Sequence, residues 1–201
     1  MAEKESFVVM KDLQGYFKEG QRKKIYNSAE TLRDKVLIRL LWVTGRRISE
    51  ILQIKVHEID FELMAVSIHI KKKRFDKVSL SYLDKFTIKL LKYYIKSYGL
   101  RPDDYLFKSD FKKDSPISRQ RAFEIVRKTC RKAGIYKVGK KEPHPHHFRH
   151  SFAVDLAKKM KKPEDVRKLQ MALDHSSLAV TEKYLQFSGE EMRSLVEEIG
   201  D

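Results

Sequence analysis

The chain has 201 residues, 41% of them hydrophobic, and its 43 Lys and Arg against 28 Asp and Glu leave a net charge of +15. That length and apolar content fit one ordinary domain with a real core and exclude a disordered tail. No apolar run approaches the roughly 20 residues of a membrane span, and the first residues, MAEKESFVVMKD, have an apolar stretch of only four, too short for a secretory signal. A cytoplasmic protein without a membrane partner is therefore expected. The single Cys130 cannot form an internal disulfide and reads as structural. The positive excess predicts a polyanionic partner, nucleic acid being the commonest.

In chain order, residues 7–26 predict a helix-prone leading segment, with Val8, Met10, Leu13 and Phe17 loosely at helical spacing. Residues 29–44 predict an amphipathic helix, because Leu32, Val36, Leu37, Leu40 and Leu41 recur at three- and four-residue steps and Ser28 can cap it. Thr44-Gly45 breaks it, and a short helix follows from near Arg47 to about Gln53. Over 64–82 the period becomes two. Val66, Ile68 and Ile70 alternate with Ser67 and His69, KVSLSY at 77–82 alternates again, and the charged KKKRFD between them marks the turn of a β-hairpin. Leu83–Tyr98 predicts a helix with Phe86, Leu90, Leu91, Tyr94 and Ile95 on one face and Gly99 at its end. Ser118 caps a helix of about 119–133 that Gly134 closes. Further helices are expected at about 147–160, 164–173 and 177–185, and a last amphipathic one at 189–199 carries Met192, Leu195, Val196 and Ile199. The expected fold class is α+β, mostly α-helical, with a small antiparallel sheet near its N-terminal third.

Three separated motifs stand out: TGRRISEILQI at 44–54, HPHHFRHSFAVDLA at 144–157 and LDHSSLAVTEKYLQF at 173–187, with the basic hairpin between the first two. In this order and spacing they resemble the tyrosine recombinase, or phage integrase, family over about residues 28–187. The family pattern is Thr-Gly-x-Arg-x-x-Glu, a hairpin lysine, His-x-x-Arg-His, and a Tyr nine residues after the His of a Gly-His. Here it falls on Arg47 and Glu50, a lysine among Lys71 to Lys73, then His146, Arg149 and His150, then His175 and Tyr184. Matching Val78 and Leu80 to the family's valine and leucine puts the lysine at Lys71 and leaves Lys72, Lys73 and Arg74 to bind DNA. The resemblance implies the family's catalytic domain over 28–187, a short helical extension over 1–27 and a helical tail over 188–201. It implies a site-specific recombinase that cleaves and rejoins double-stranded DNA through a 3′-phosphotyrosine, with no cofactor and no metal, and with self-association on DNA through the tail.

The residue types suit that chemistry. A phosphodiester under attack gathers negative charge on its non-bridging oxygens. Guanidiniums meet this charge well, being planar, always ionised and able to donate two parallel hydrogen bonds. Arg47 and Arg149 fill this role. Tyr184 supplies the nucleophile; a free phenol titrates near pH ~10, so it must lose its proton during attack, and His146 or a neighbour can take it. The hairpin lysine protonates the leaving 5′-oxygen, and His175 bonds a phosphate oxygen or orients Tyr184.

Several residues carry a second reading. Arg46 reads as a surface charge. Glu50 either orients Arg47 or supports the helix N-terminus. His144, His146, His147 and His150 crowd together like a metal site, but the acidic or Cys partners of a zinc site are missing nearby. Asp174 stands where the family has Gly. Only about 27 residues precede the catalytic helix, too few for the separate domain with which most members close over DNA. A type IB topoisomerase-like nicking and resealing enzyme, or a DNA-binding regulator of a full-length recombinase, are the alternatives.

Overall fold

The computed structural model describes residues 15–71, 76–112 and 114–159, with backbone alone at 71 and 76, and also the backbone of two short strands at 7–8 and 186–187. By mutual contact, residues 15–151 form one compact unit, and residues 1–14 with 152–201 form another. In the second, strand β1 (Phe7–Val8) pairs antiparallel with Gln186–Phe187. Within the expected helical segment at 7–26, the described residues are extended at 7–8 and helical from Glu19, in α1 (Glu19–Asn27). The expected helices at 164–173, 177–185 and 189–199 lie outside the described residues.

Helix α2 (Leu32–Thr44) buries Val36, Leu37, Ile38, Leu40, Leu41 and Thr44. Those positions cover most of its circumference, which makes it a central helix, not a surface one. Each large side chain so buried is worth about 1.5–3 kcal/mol. Thr31, not Ser28, caps α2: its hydroxyl accepts from the Asp34 N–H at 3.1 Å. The reason is backbone shape. A capping residue needs an extended backbone; Thr31 has it (φ −107°, ψ 156°), whereas Ser28 continues α1 in helical conformation (φ −83°, ψ −6°). At the other end Gly45 takes φ +61°, a left-handed turn that favours glycine.

The short helix α3 (Ile48–Ile51) follows, then a 3-10 turn at Val56–Glu58 and strands β2 (Ile59–Asp60), β3 (Ala65–Lys71) and β4 (Asp76–Tyr82). They form one antiparallel sheet in the order β2-β3-β4. The register pairs Val66 with Ser81, Ile68 with Ser79 and Lys71 with Asp76. On β3 the alternation is the ordinary one, with Val66, Ile68 and Ile70 buried. On β4 it is inverted: Ser81 is buried while Val78 and Leu80 are 55% and 49% exposed.

Helix α4 (Lys85–Ser97), capped by Asp84, buries Thr87, Ile88, Leu91 and Tyr94. Phe86, expected inside, is 50% exposed. Thr87 is drawn inward instead, accepting from Arg39 Nε at 2.9 Å, and the Arg39 guanidinium lies over the Phe86 ring at 5.2 Å. The Tyr94 hydroxyl donates to the Leu106 carbonyl at 2.9 Å, and burial raises its pKa. Helix α5 (Arg119–Lys132) starts at Ser118, which accepts from the Arg121 N–H, and Gly134 with φ +74° follows its end. Its inner face holds Ala122, Ile125, Val126, Thr129 and Cys130. Cys130 is fully buried, and burial pushes its thiol up to about 12. Helix α6 (Pro145–Ala157) completes the described helices, and Gln186–Phe187 is β5. Among the described residues no helix is long and apolar enough to cross a membrane.

Candidate active site

The first motif turns a corner at Gly45 and starts α3. Arg47 sits in extended conformation just before the helix. Its backbone N–H donates to Glu50 Oε2 at 3.0 Å, and its Nη1 donates to Glu50 Oε1 at 2.9 Å. One carboxylate therefore satisfies a helix-end donor and orients the arginine, so the two readings of Glu50 are both realised. The Glu50 side chain is 8% exposed and that of Arg47 47%. A fixed carboxylate thus holds a guanidinium that solvent, or a ligand, can reach.

The second motif starts α6. Pro145 stands first in the helix, where its missing N–H costs nothing. The His144 N–H donates to Nδ1 of His147 at 3.1 Å, so a histidine fills the place that Glu or Gln takes in a capping box. His147 is buried, and its pKa is pushed down to about 4 by burial first and by neighbouring positive groups second. The His144 pKa is also lowered, by burial and then by Lys141. The Ser151 hydroxyl donates to the His147 carbonyl at 2.7 Å and accepts from the Phe17 N–H at 2.8 Å, which fastens the start of α6 to the segment before α1. His146 is left exposed, and His150 is half-buried with its ring 6.0 Å from that of Tyr16.

Arg149 joins the two motifs. It is 4% exposed, and its Nη1 donates to the Gly45 carbonyl, 104 residues earlier in the chain, at 3.1 Å. Between the two helix starts lies a cavity of about 160 Å³, lined by Arg46, Arg47, His146, Arg149 and, from α5, Arg119 and Phe123. Arg47, Arg119 and Arg149 line it together with Arg46, whose Nε and Nη2 are turned to β4, and no carboxylate is among its described lining residues. Such a set of planar, permanently charged donors suits an anion such as a phosphate. A larger cavity of about 420 Å³ shares Ser49 and Arg119 with it and is lined by Ser109, Ser115, Ser118 and Lys112. Leu52, Pro116 and Ile117 also line it, so its wall is mixed, whereas the smaller cavity gathers the arginines.

The surface reading of Arg46 is wrong. Arg46 is 2% exposed; its Nε donates to Ser81 Oγ at 2.8 Å, and its Nη2 donates to Ser79 Oγ at 2.7 Å and to the Leu80 carbonyl at 3.3 Å. The inverted alternation of β4 supplies those acceptors. Of the other expected site residues, Lys71 is placed by backbone at the end of β3, opposite Asp76. Lys72, Lys73, Arg74, His175 and Tyr184 lie outside the described residues.

Sequence reasoning passed over Arg119, Phe123 and the buried role of His147. A signal existed for Arg119. It is the first residue of α5, where a cation opposes the helix dipole, and such a breach of a local rule marks a functional position. The histidines do not converge as metal ligands would: the His144 and His147 rings lie 3.8 Å apart, tilted by 34°, and no three potential ligands are grouped among the described residues.

Residues 16–191 match the model of the phage integrase family. A tyrosine recombinase of Pseudothermotoga lettingae is 35% identical over 164 residues, covering 82% of this chain and 53% of the relative. The tyrosine recombinase XerA of Pyrococcus horikoshii is 29% identical over 193 residues, covering 94% of this chain and 62% of the relative. A crystal structure of the XerH site-specific recombinase bound to difH substrate, a pre-cleavage complex, matches with a TM-score of 0.75 at 28% identity, covering 94% of this chain and 55% of that one. The chain thus spans between 53% and 62% of the length of these three proteins.

Proposed function

The chain belongs to the phage integrase family, and from that membership and the cationic cavity we propose that it is a site-specific DNA recombinase acting through a 3′-phosphotyrosine intermediate. The observation that carries the proposal is the convergence of Arg47, His146 and Arg149, from motifs about a hundred residues apart, on one arginine-lined cavity. The XerH site-specific recombinase, similar in fold and sequence, is bound to difH substrate in its pre-cleavage complex.

Double-stranded DNA is the substrate, drawn by the net charge of +15. Lys72, Lys73 and Arg74 meet its backbone. Arg47, braced by Glu50, and Arg149, braced by the Gly45 carbonyl, hold the non-bridging oxygens of the scissile phosphate. The Tyr184 oxygen bonds to phosphorus while the bond from phosphorus to the 5′-oxygen breaks. The phenol proton passes to His146, and Lys71 delivers a proton to the departing oxygen. His175 steadies the phosphate or Tyr184, and His150 supports Arg149 from the same helix. The phosphotyrosine conserves the phosphodiester bond energy, so the reverse attack by a 5′-hydroxyl reseals DNA without a cofactor. The apolar positions Met192, Leu195, Val196 and Ile199 give the tail a face with which to dock on a neighbouring subunit.

The test is covalent capture. A pool of duplexes of randomised sequence is incubated with the protein in excess EDTA, and complexes that survive denaturant are sequenced. Enrichment of one DNA site in such complexes is expected. Adducts that form only when zinc or magnesium is restored, or no adduct at all, would overturn the mechanism.

A further inference from the structure

The burial of Arg46 has a purpose that the phosphate-binding role of its neighbour does not explain. We propose that Arg46 is a positioning residue that locks strand β4 to the turn presenting Arg47, and so keeps the hairpin lysine in register with the phosphate site; the functional half of this inference rests on the proposed role of Lys71. A guanidinium is costly to bury unless its donors are met, and it cannot shed its proton to escape that cost. Here Nε and Nη2 meet Ser81, Ser79 and the Leu80 carbonyl, which fastens three consecutive residues of β4 through one planar group.

Strand β4 buries little of its own side-chain surface. Among its described side chains Ser81 alone is buried, and Val78, Leu80 and Tyr82 face outward. The ladder to β3 and the Arg46 fork both fasten it. Arg46 is one peptide from Arg47, so the anchor of the hairpin and the anchor of the phosphate share a backbone turn. The ladder carries this fixation outward: Ser79 pairs with Ile68, and Lys71 lies three residues further along β3, a reach of about 10 Å at the usual rise per residue. A proton donor must come within hydrogen-bond distance of the leaving oxygen, and a misplacement of about 1 Å can cost on the order of a hundredfold in rate. A lysine in place of Arg46 keeps the charge but cannot span both serines.

The experiment compares cleavage of an ordinary duplex site with the same site carrying sulfur at the 5′-bridging position, which leaves without a proton. Arg46→Lys is expected to slow cleavage of ordinary DNA by about tenfold or more and to stay within about threefold of wild type on the sulfur substrate, with DNA binding unchanged. Ser79→Ala removes one acceptor from a half-buried position and is expected to show the same split more weakly, which keeps the test open if Arg46→Lys does not fold. Amide hydrogen exchange in residues 76–82 should quicken in both variants. Equal slowing on both substrates would mean that Arg46 serves the phosphate or the fold, and unchanged exchange in β4 would mean that there is no lock; either overturns the inference. Wild-type cleavage combined with a Lys71→Ala variant that sulfur does not rescue would instead refute the assignment of the proton donor. The exchange of β4 would then decide for or against the lock by itself.

Discussion

At the start of α3 and again at the start of α6, two like residues stand side by side and part company. Arg46 goes to the interior and Arg47 to the cavity; His147 goes to the interior and His146 to the cavity. The interior members solve the same problem by different means. Arginine stays charged at any ordinary pH, so the protein has to bring acceptors to it, and it does so by turning the serines of β4 inward. Histidine can give up its proton, so burial neutralises His147, and Nδ1 then accepts a backbone N–H. The cavity members stay reachable because each is held by a neighbour that is not: Arg47 by Glu50, and the backbone of His146 by the hydrogen bonds of His147. Removing a cavity residue should therefore cost chemistry, and removing an interior residue should cost geometry or stability.

The largest expected effects are at the cavity. Arg47→Ala and Arg149→Ala should each lower single-turnover cleavage by two or more orders of magnitude, the loss of about 3–4 kcal/mol of transition-state stabilisation. The two should separate in thermal unfolding. Arg47→Ala should leave the melting temperature near wild type, because that side chain is 47% exposed, whereas Arg149→Ala should lower it, because the buried Gly45 carbonyl loses its donor. Equal melting shifts would erase the distinction between the two arginines.

Next comes His147. Its folded pKa of about 4 lies below the ordinary value of 6.5, so the unfolded chain binds a proton over that interval and the folded one does not. Its contribution to stability is complete above about pH 6.5 and is lost as the pH falls toward 4, by on the order of 2–3 kcal/mol. Urea unfolding across that range should show the decline, and His147→Gln, which still offers an acceptor to the His144 N–H, should flatten it. A decline unchanged in the variant would place the titration elsewhere.

Smaller still, Glu50→Gln should slow cleavage by about tenfold, the value of one charge-assisted hydrogen bond, while unfolding stays close to wild type. The smallest effect is at Cys130. Burial pushes its thiol up to about 12, so a thiol reagent at pH 8 should label it only after denaturation, and Cys130→Ala should leave cleavage unchanged. Rapid labelling of the folded protein would show that α5 opens.

Much of this was legible in the sequence where one local rule acted alone. The hairpin over 64–82 followed from its period of two, and Ser118, Gly134 and Gly45 marked helix ends by their own chemistry. The reading failed where a distant partner decided the outcome. Nothing local to Arg46 shows that Ser79 and Ser81, more than thirty residues on, will turn inward to meet it. Phe86 has the spacing of a core residue, but Arg39 bonds Thr87 and covers the Phe86 ring from α2. Ser28 and Thr31 are both capping residues by type, and only the backbone between the helices chose Thr31. Arg47, His146 and Arg149, which line one cavity, could be singled out because they stand at fixed spacings in ordered motifs. Arg119 and Phe123 belong to no motif and come to the cavity only through the packing of α5.

The central claim is that Tyr184 becomes joined to DNA, and its most direct measurement is the identity of the amino acid in the adduct. Protein captured on DNA is treated with nuclease and trypsin, and the peptides are read by mass spectrometry. The predicted result is a nucleotide 3′-phosphate on the peptide Tyr184–Arg193, absent from a Tyr184→Phe variant that still binds DNA. A nucleotide on any other tyrosine, or an adduct that persists in Tyr184→Phe, would contradict the account.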